Sequence, residues 1–164
     1  MKKIIGILSI VLIFVSLISC NKPTPSKFND ELMSILNSAD SEYNSFYSHI
    51  EQFSNNDKKS SISQKIKVGI EQMEKKKEKI NGLKVPKGGE ELKNTCLDYV
   101  NIMINSMKEF ISEKELSKSQ YDRAVKNMEN NEEKLNNVNE KIIDEQENFA
   151  EKKGFEFKEI PQKK

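Results

Sequence analysis

Four stretches of this chain place apolar residues at steps of three and four, a period that commits them to helices with one oily face each. The first stripe is Phe28, Leu32, Ile35, Ala39, Tyr43, Phe46, Ile50 and Phe53. Ile62, Ile66, Ile70, Met73 and Ile80 form the second, interrupted at Lys77. Leu92, Cys96, Tyr99, Met103, Met107 and Phe110 form the third, which Leu97, Val100, Ile102, Ile104 and Ile111 widen around most of the circumference. Tyr121, Val125, Met128, Leu135, Val138, Ile142 and Phe149 make the fourth. No single stripe can hide its apolar face alone, so the four must pack on one another.

Local signals set the boundaries. Ser54-Asn55-Asn56-Asp57 is a polar turn after a first helix expected over 27–53. Ser61 with Gln64 fits a capping box opening a helix that runs to Asn81, where Gly82 is expected to close it in the left-handed conformation. Pro86 and Gly88-Gly89 mark a joint before Glu90-Glu91, acids that suit the positive end of a third helix. Ser117 with Gln120 repeats the capping box, and Lys152, Lys153 and Gly154 suit the end of a fourth helix. Phe155 to Ile160 alternates apolar and polar but has no partner strand. It reads as an extended tail that packs Phe155 and Phe157 on the bundle end. Short joints fold the chain back at each turn. The expected fold is therefore all-α, an up-down-up-down antiparallel four-helix bundle over 27–157, centred on the third helix, with a frayed tail over 158–164.

The N-terminus carries a different message. Lys2 and Lys3 precede an almost unbroken apolar run from Ile4 to Ile18, closed by Ser19-Cys20. A positive start, an apolar core and a small residue at the cut make a secretory signal over 1–19. Cysteine directly after the small residue makes it a lipobox: cleavage falls between Ser19 and Cys20, and Cys20 takes a diacylglyceryl group. As a helix the run spans only about 23 Å at 1.5 Å per residue, short of the roughly 30 Å of a bilayer core. Residues 20–26 then read as the lipidated cysteine and a tether, kept extended by Pro23 and Pro25, two prolines in three residues, since prolines oppose helix.

Charge narrows the partners. The sequence holds 27 basic and 26 acidic residues. Removing 1–19 takes away two lysines and no acid, which leaves 145 residues at a net charge of −1. That balance disfavours nucleic acid, whose binders carry a basic patch, and leaves the lipid on Cys20 as the expected link to a membrane. Lys58–Lys79 is lysine-rich and Met128–Lys153 is acid-rich, as two solvated faces of one bundle would be. With Cys20 consumed, Cys96 has no disulfide partner.

Catalytic and cofactor signatures are missing from the sequence. The single histidine, His49, has Phe46 three residues before it, so the Glu-x-x-His motif of di-metal bundles does not occur. An axial pair of His49 with Met73 or Met103 would be needed for haem, but methionines at helical spacing read as core filler. Cys96 lies on an apolar face with no base beside it, which reads as buried and inert. Glu132-Glu133 and Glu145 with Glu147 sit on a helix read as solvated, without the cleft that carboxylate catalysis requires. Gly88-Gly89 lacks the Lys-Ser/Thr of a phosphate loop. The expectation is no enzyme, no cofactor and no metal.

Val85-Pro86-Lys87-Gly88-Gly89-Glu90-Glu91-Leu92-Lys93, then Cys96-Leu97-Asp98-Tyr99-Val100, and finally Phe149-Ala150-Glu151-Lys152-Lys153-Gly154-Phe155 form a pattern. In it the chain resembles the leptospiral-type surface lipoproteins, small lipid-anchored helical bundles of uncharacterised role. The resemblance implies a lipid anchor at Cys20 and no catalytic or ligand residue. The expected function is a non-catalytic binding or interaction protein of the cell envelope, at an outer membrane or cell surface rather than the inner membrane, since Asn21 is not the retaining aspartate. Tyr43, Phe46, Tyr47 and the edge near His49 are the candidate contact surface, against a core reading of the same aromatics. The alternatives are a structural envelope subunit acting by self-association, and a carrier of haem or another ligand in the bundle core.

Overall fold

The computed structural model describes residues 23–53, 60–111 and 117–156, with the side chains of 51–53 and 60–63 left aside. The expected signal peptide over 1–19, Cys20, the expected turn at 54–57, Phe157 and the tail over 158–164 lie outside the described residues. Four helices make up the described chain: α1 (Pro25–Phe53), α2 (Ser60–Gly82), α3 (Glu90–Lys108) and α4 (Lys118–Lys153). No strand occurs among these residues, and the fold is an all-α four-helix bundle.

α1 begins earlier than its composition suggests. Pro25 and Ser26, assigned above to the tether, are helical. Thr24 supplies the start: its Oγ1 accepts from the Lys27 amide at 3.2 Å and its carbonyl accepts from the Phe28 amide at 3.0 Å. Proline is tolerated in the first turn because its missing N–H would have had no partner there. α2 likewise opens one residue before the expected Ser61.

Its far end differs in kind. Gly82 is the last helical residue and does not take a left-handed conformation; the positive φ falls on Gly88, at 88°. The α2 carbonyls are satisfied from outside instead. Lys93 Nζ donates to Asn81 O at 2.7 Å and to Leu83 O at 3.2 Å, a cation placed at the negative end of a helix. That side chain ties α3 to the end of α2.

α4 follows its sequence signals closely. The Ser117 hydroxyl accepts from the Gln120 amide at 3.3 Å, and Gln120 Oε1 accepts from the Ser117 amide at 2.9 Å. Gly154 closes the helix at φ 67°, a conformation costly for any residue with a Cβ.

The core runs the length of the molecule. Phe28, Leu32, Met33 and Leu36 of α1 are fully buried, as are Met73 and Ile80 of α2, Leu92, Met103 and Met107 of α3 and Ile142 of α4. α3 touches each of the other three helices, as its broad apolar surface implies, but so does α1. Among the described residues α2 and α4 do not touch, so the expected single central helix is a central pair. At one end of the bundle Phe28 meets Phe149 edge-on at 5.9 Å, and Phe155 packs on Phe149 at 5.7 Å. At the other end Phe110 lies 5.5 Å from Phe46 and 5.9 Å from Tyr121.

Candidate functional site: the groove between α1 and α2

The second half of α1 and the first half of α2 line a groove of about 370 Å³. Phe46, Ile66 and the tip of Met107 form its floor, while Glu42, Ser45, His49, Gln64 and Lys65 stand around it. Val68, at 45% exposure, adds an apolar edge. Gly69 leaves room beneath α2 for the tip of Met107 from α3. A Cβ there would sit 2.8 Å from Met107 Cε, so only glycine lets that methionine tip pass under α2 undisturbed.

His49 stands at this groove, half-buried. Its Nδ1 is 2.6 Å from the Ser45 carbonyl one turn earlier. When that nitrogen carries the proton and donates to the carbonyl, Nε2 is left to accept from a ligand. Glu42 faces Lys76 at 4.0 Å. The result is an apolar trough with a mixed polar margin, the usual make-up of a small-molecule site.

The aromatic candidates separate. Tyr43 and Phe46 are buried, at 3% and 5% exposure, so the core reading holds for both. Burial pushes the Tyr43 hydroxyl up to about 12, an effect that Ser106 partly opposes. Tyr47 is half-buried and interacts with Glu132 of α4. Met73 and Met103 are core residues, and neither lines the groove beside His49.

Cys96 is fully buried on α3, and burial, with Glu145 nearby, holds its thiol well above its ordinary value. Such a thiol is a poor nucleophile. The acidic candidates on α4 are not uniformly solvated, contrary to expectation. Glu145 turns inward, accepting from Thr95 Oγ1 at 2.9 Å and meeting Lys141 at 3.3 Å. Glu132 is half-buried, and burial raises its carboxyl despite the Tyr47 hydrogen bond. Glu133 and Glu147 are exposed. Turns of 100° per residue explain the split, since residues one or two apart face different ways.

Sequence periodicity also passed over a set of buried polar residues. Asn29, Asp40, Thr95, Ser106 and Gln146 are all buried. Asp40 accepts from the Tyr99 hydroxyl at 2.9 Å, and burial pushes its carboxyl up to about 6 despite that bond. Asn29, Asp40, Thr95 and Ser106 are each next to a stripe residue, as Asp40 follows Ala39, and Gln146 lies one turn from Ile142 and Phe149, so position on the helical wheel was the available signal.

Among the described residues no three His, Cys, Asp or Glu side chains converge as a metal cluster, and no helix is long and apolar enough to cross a membrane. No family model, curated protein or solved structure matches the chain.

Proposed function

We propose that this is a non-catalytic binding protein of the cell envelope, anchored through lipid on Cys20, whose ligand occupies the α1–α2 groove. The observation that carries the binding reading is the groove itself: about 370 Å³, apolar below and polar at the margin. Pockets that enclose small molecules start near roughly 300 Å³. The anchor rests on the lipobox ending at Ser19-Cys20, and the resemblance to leptospiral-type lipoproteins favours the same placement. The aromatic contacts of Phe28 with Phe149 and of Tyr121 with Phe110 support an up-down-up-down antiparallel order for the bundle.

Two experiments test this reading. Cells fed labelled palmitate should label the wild-type chain and leave Cys20→Ala unlabelled; label on the variant would overturn the anchor. An environment-sensitive apolar dye should bind the wild type and lose affinity in Val68→Arg, while Ile143→Arg on α4 binds as before. Equal loss in both, or none in either, would remove the groove as the site. Protease shaving of intact cells then decides on which side of the outer membrane the bundle lies.

Self-association is the second reading, favoured by Val68 and Ile143, the large apolar side chains left exposed among the described residues, at 45% and 43%. Sedimentation over a concentration series would show it as a rising mass, and a constant monomer would dismiss it.

A further inference from the structure

Eight buried side-chain atoms of the described residues have no hydrogen-bond partner, and all eight belong to α1 or α4. They are Asn29 Nδ2 and Oδ1, Asp40 Oδ2 and Tyr43 OH on α1, and Glu132 Oε1, Asn139 Oδ1, Glu145 Oε2 and Gln146 Nε2 on α4. Glu145 turns to Thr95 on α3, but Glu132, Asn139 and Gln146 recur every seven residues, which places them on one face of α4. That face meets α1: Tyr47 bonds to Glu132, and the Glu132 charge acts on Tyr43. Asn29 is the extreme case. It is 0% exposed and neither end of its amide meets a partner in hydrogen-bonding geometry, although that amide still opposes the rise that burial imposes on Asp30.

The packing of the bundle is thinnest in the same place. α1 and α4 make the sparsest contact of all the neighbouring helix pairs, while α3 and α4 make the richest. Direct contacts pin the α1–α4 joint near its two ends, through Phe28 with Phe149 and through the Tyr121 hydroxyl, which donates to Ile50 O at 3.0 Å. α4 is fixed to α3 along its length by Thr95 with Glu145 and by Asn131 Nδ2, which donates to Ser106 Oγ at 2.8 Å.

We propose that the α1–α4 joint is a polar seam along which the bundle opens, α4 turning about α3 while α1 stays with α2. An unpaired buried polar atom costs about 1–3 kcal/mol, and water recovers it wherever the helices part. Opening therefore gains hydration for the atoms along the seam, which offsets part of the cost of baring buried apolar side chains such as Phe28 and Phe149. Asp40, Tyr43 and Glu145 also keep an unpaired atom where they face Tyr99, Ser106 and Thr95 of α3, but there the helices are more closely packed. The movement bares the core from one side and leaves the α1–α2 groove intact, so it is separate from the binding reading above.

The tyrosines of the full chain provide the test. There are four: Tyr43, Tyr47, Tyr99 and Tyr121. Tyr43, Tyr47 and Tyr121 border the seam, whereas Tyr99 bonds across α3 and α1 to Asp40 and does not cross it. With fluorotyrosine incorporated throughout, fluorine relaxation dispersion should show exchange at Tyr43 and Tyr121 and none at Tyr99. The variant Asn29→Leu/Gln146→Leu removes polar groups from the seam and should lower the open population by at least about tenfold, which corresponds to about 1.4 kcal/mol. No dispersion at any tyrosine of the wild type, or equal dispersion at Tyr99, would overturn the proposal. So would a folded variant whose open population is unchanged.

Discussion

Replacing Asp40 by asparagine should make the protein more stable at neutral pH. The carboxyl is 9% exposed and titrates near 6, against an ordinary value of 3.8, because burial disfavours its charge. A carboxyl raised by folding contributes its stability fully below its unfolded value and loses it as pH rises through the folded one. Here the loss runs from about pH 4 to about pH 6 and is complete above it. A displacement of about 2 pH units corresponds to about 3 kcal/mol. Asparagine carries no charge and can still accept from the Tyr99 hydroxyl, now 2.9 Å from Oδ1. Its amide N–H₂ takes the place of an oxygen that already lacks a partner, so about 1 kcal/mol of the gain is forfeited. Asp40→Asn is therefore expected to be about 2 kcal/mol more stable than wild type at pH 7.5, with the advantage gone by pH 4. Urea unfolding followed by far-ultraviolet circular dichroism, at steps from pH 4 to 8, gives the difference directly. Other titrating groups are common to both proteins and cancel. A difference that does not change with pH, or a variant less stable at pH 7.5, would refute the assignment of a strained charge to Asp40.

Tyr99→Phe removes the hydrogen bond that lowers Asp40, so in the same pH series the fall in stability should extend to higher pH. Ser117→Ala deletes the hydroxyl half of the α4 capping box and should cost about 1 kcal/mol, read as a lower urea midpoint. Gly154→Ala forces a Cβ into a left-handed conformation at φ 67° and should cost about 1–2 kcal/mol in the same assay. Phe149→Ala removes the ring against which Phe28 and Phe155 both pack, and should cost about 3–5 kcal/mol.

Much of the fold could be read from the chain. The stripe residues Phe28, Leu32, Ala39, Tyr43, Phe46 and Ile50 are all buried, because a helix of 3.6 residues per turn brings those positions to one side whatever they pack against. Met33 and Leu36 escaped that stripe and are equally buried. They lie on a second face of α1, which is enclosed only because α1 shares the centre with α3. The groove was half legible: His49 and Phe46 stood out as an aromatic edge, but Gly69, Val68 and Met107 join them from two other helices.

By itself the sequence determined where helices form and where several stop. Capping at Ser117 and Gly154 involves residues a few positions apart, and short-range geometry decides it. It also carried the pattern from Lys2 to Cys20 that we propose is a lipobox, a reading that depends on the order of residues rather than on the fold. Tertiary structure decided the rest. Lys93 reaches back to cap α2 in place of a left-handed Gly82, and Asp40 is held charged against burial with Tyr99 of another helix as its partner. Polar atoms of α1 and α4 gather at the thinnest contact of the bundle. Each of these depends on which helices become neighbours, and helical period fixes a face without naming the face it will meet.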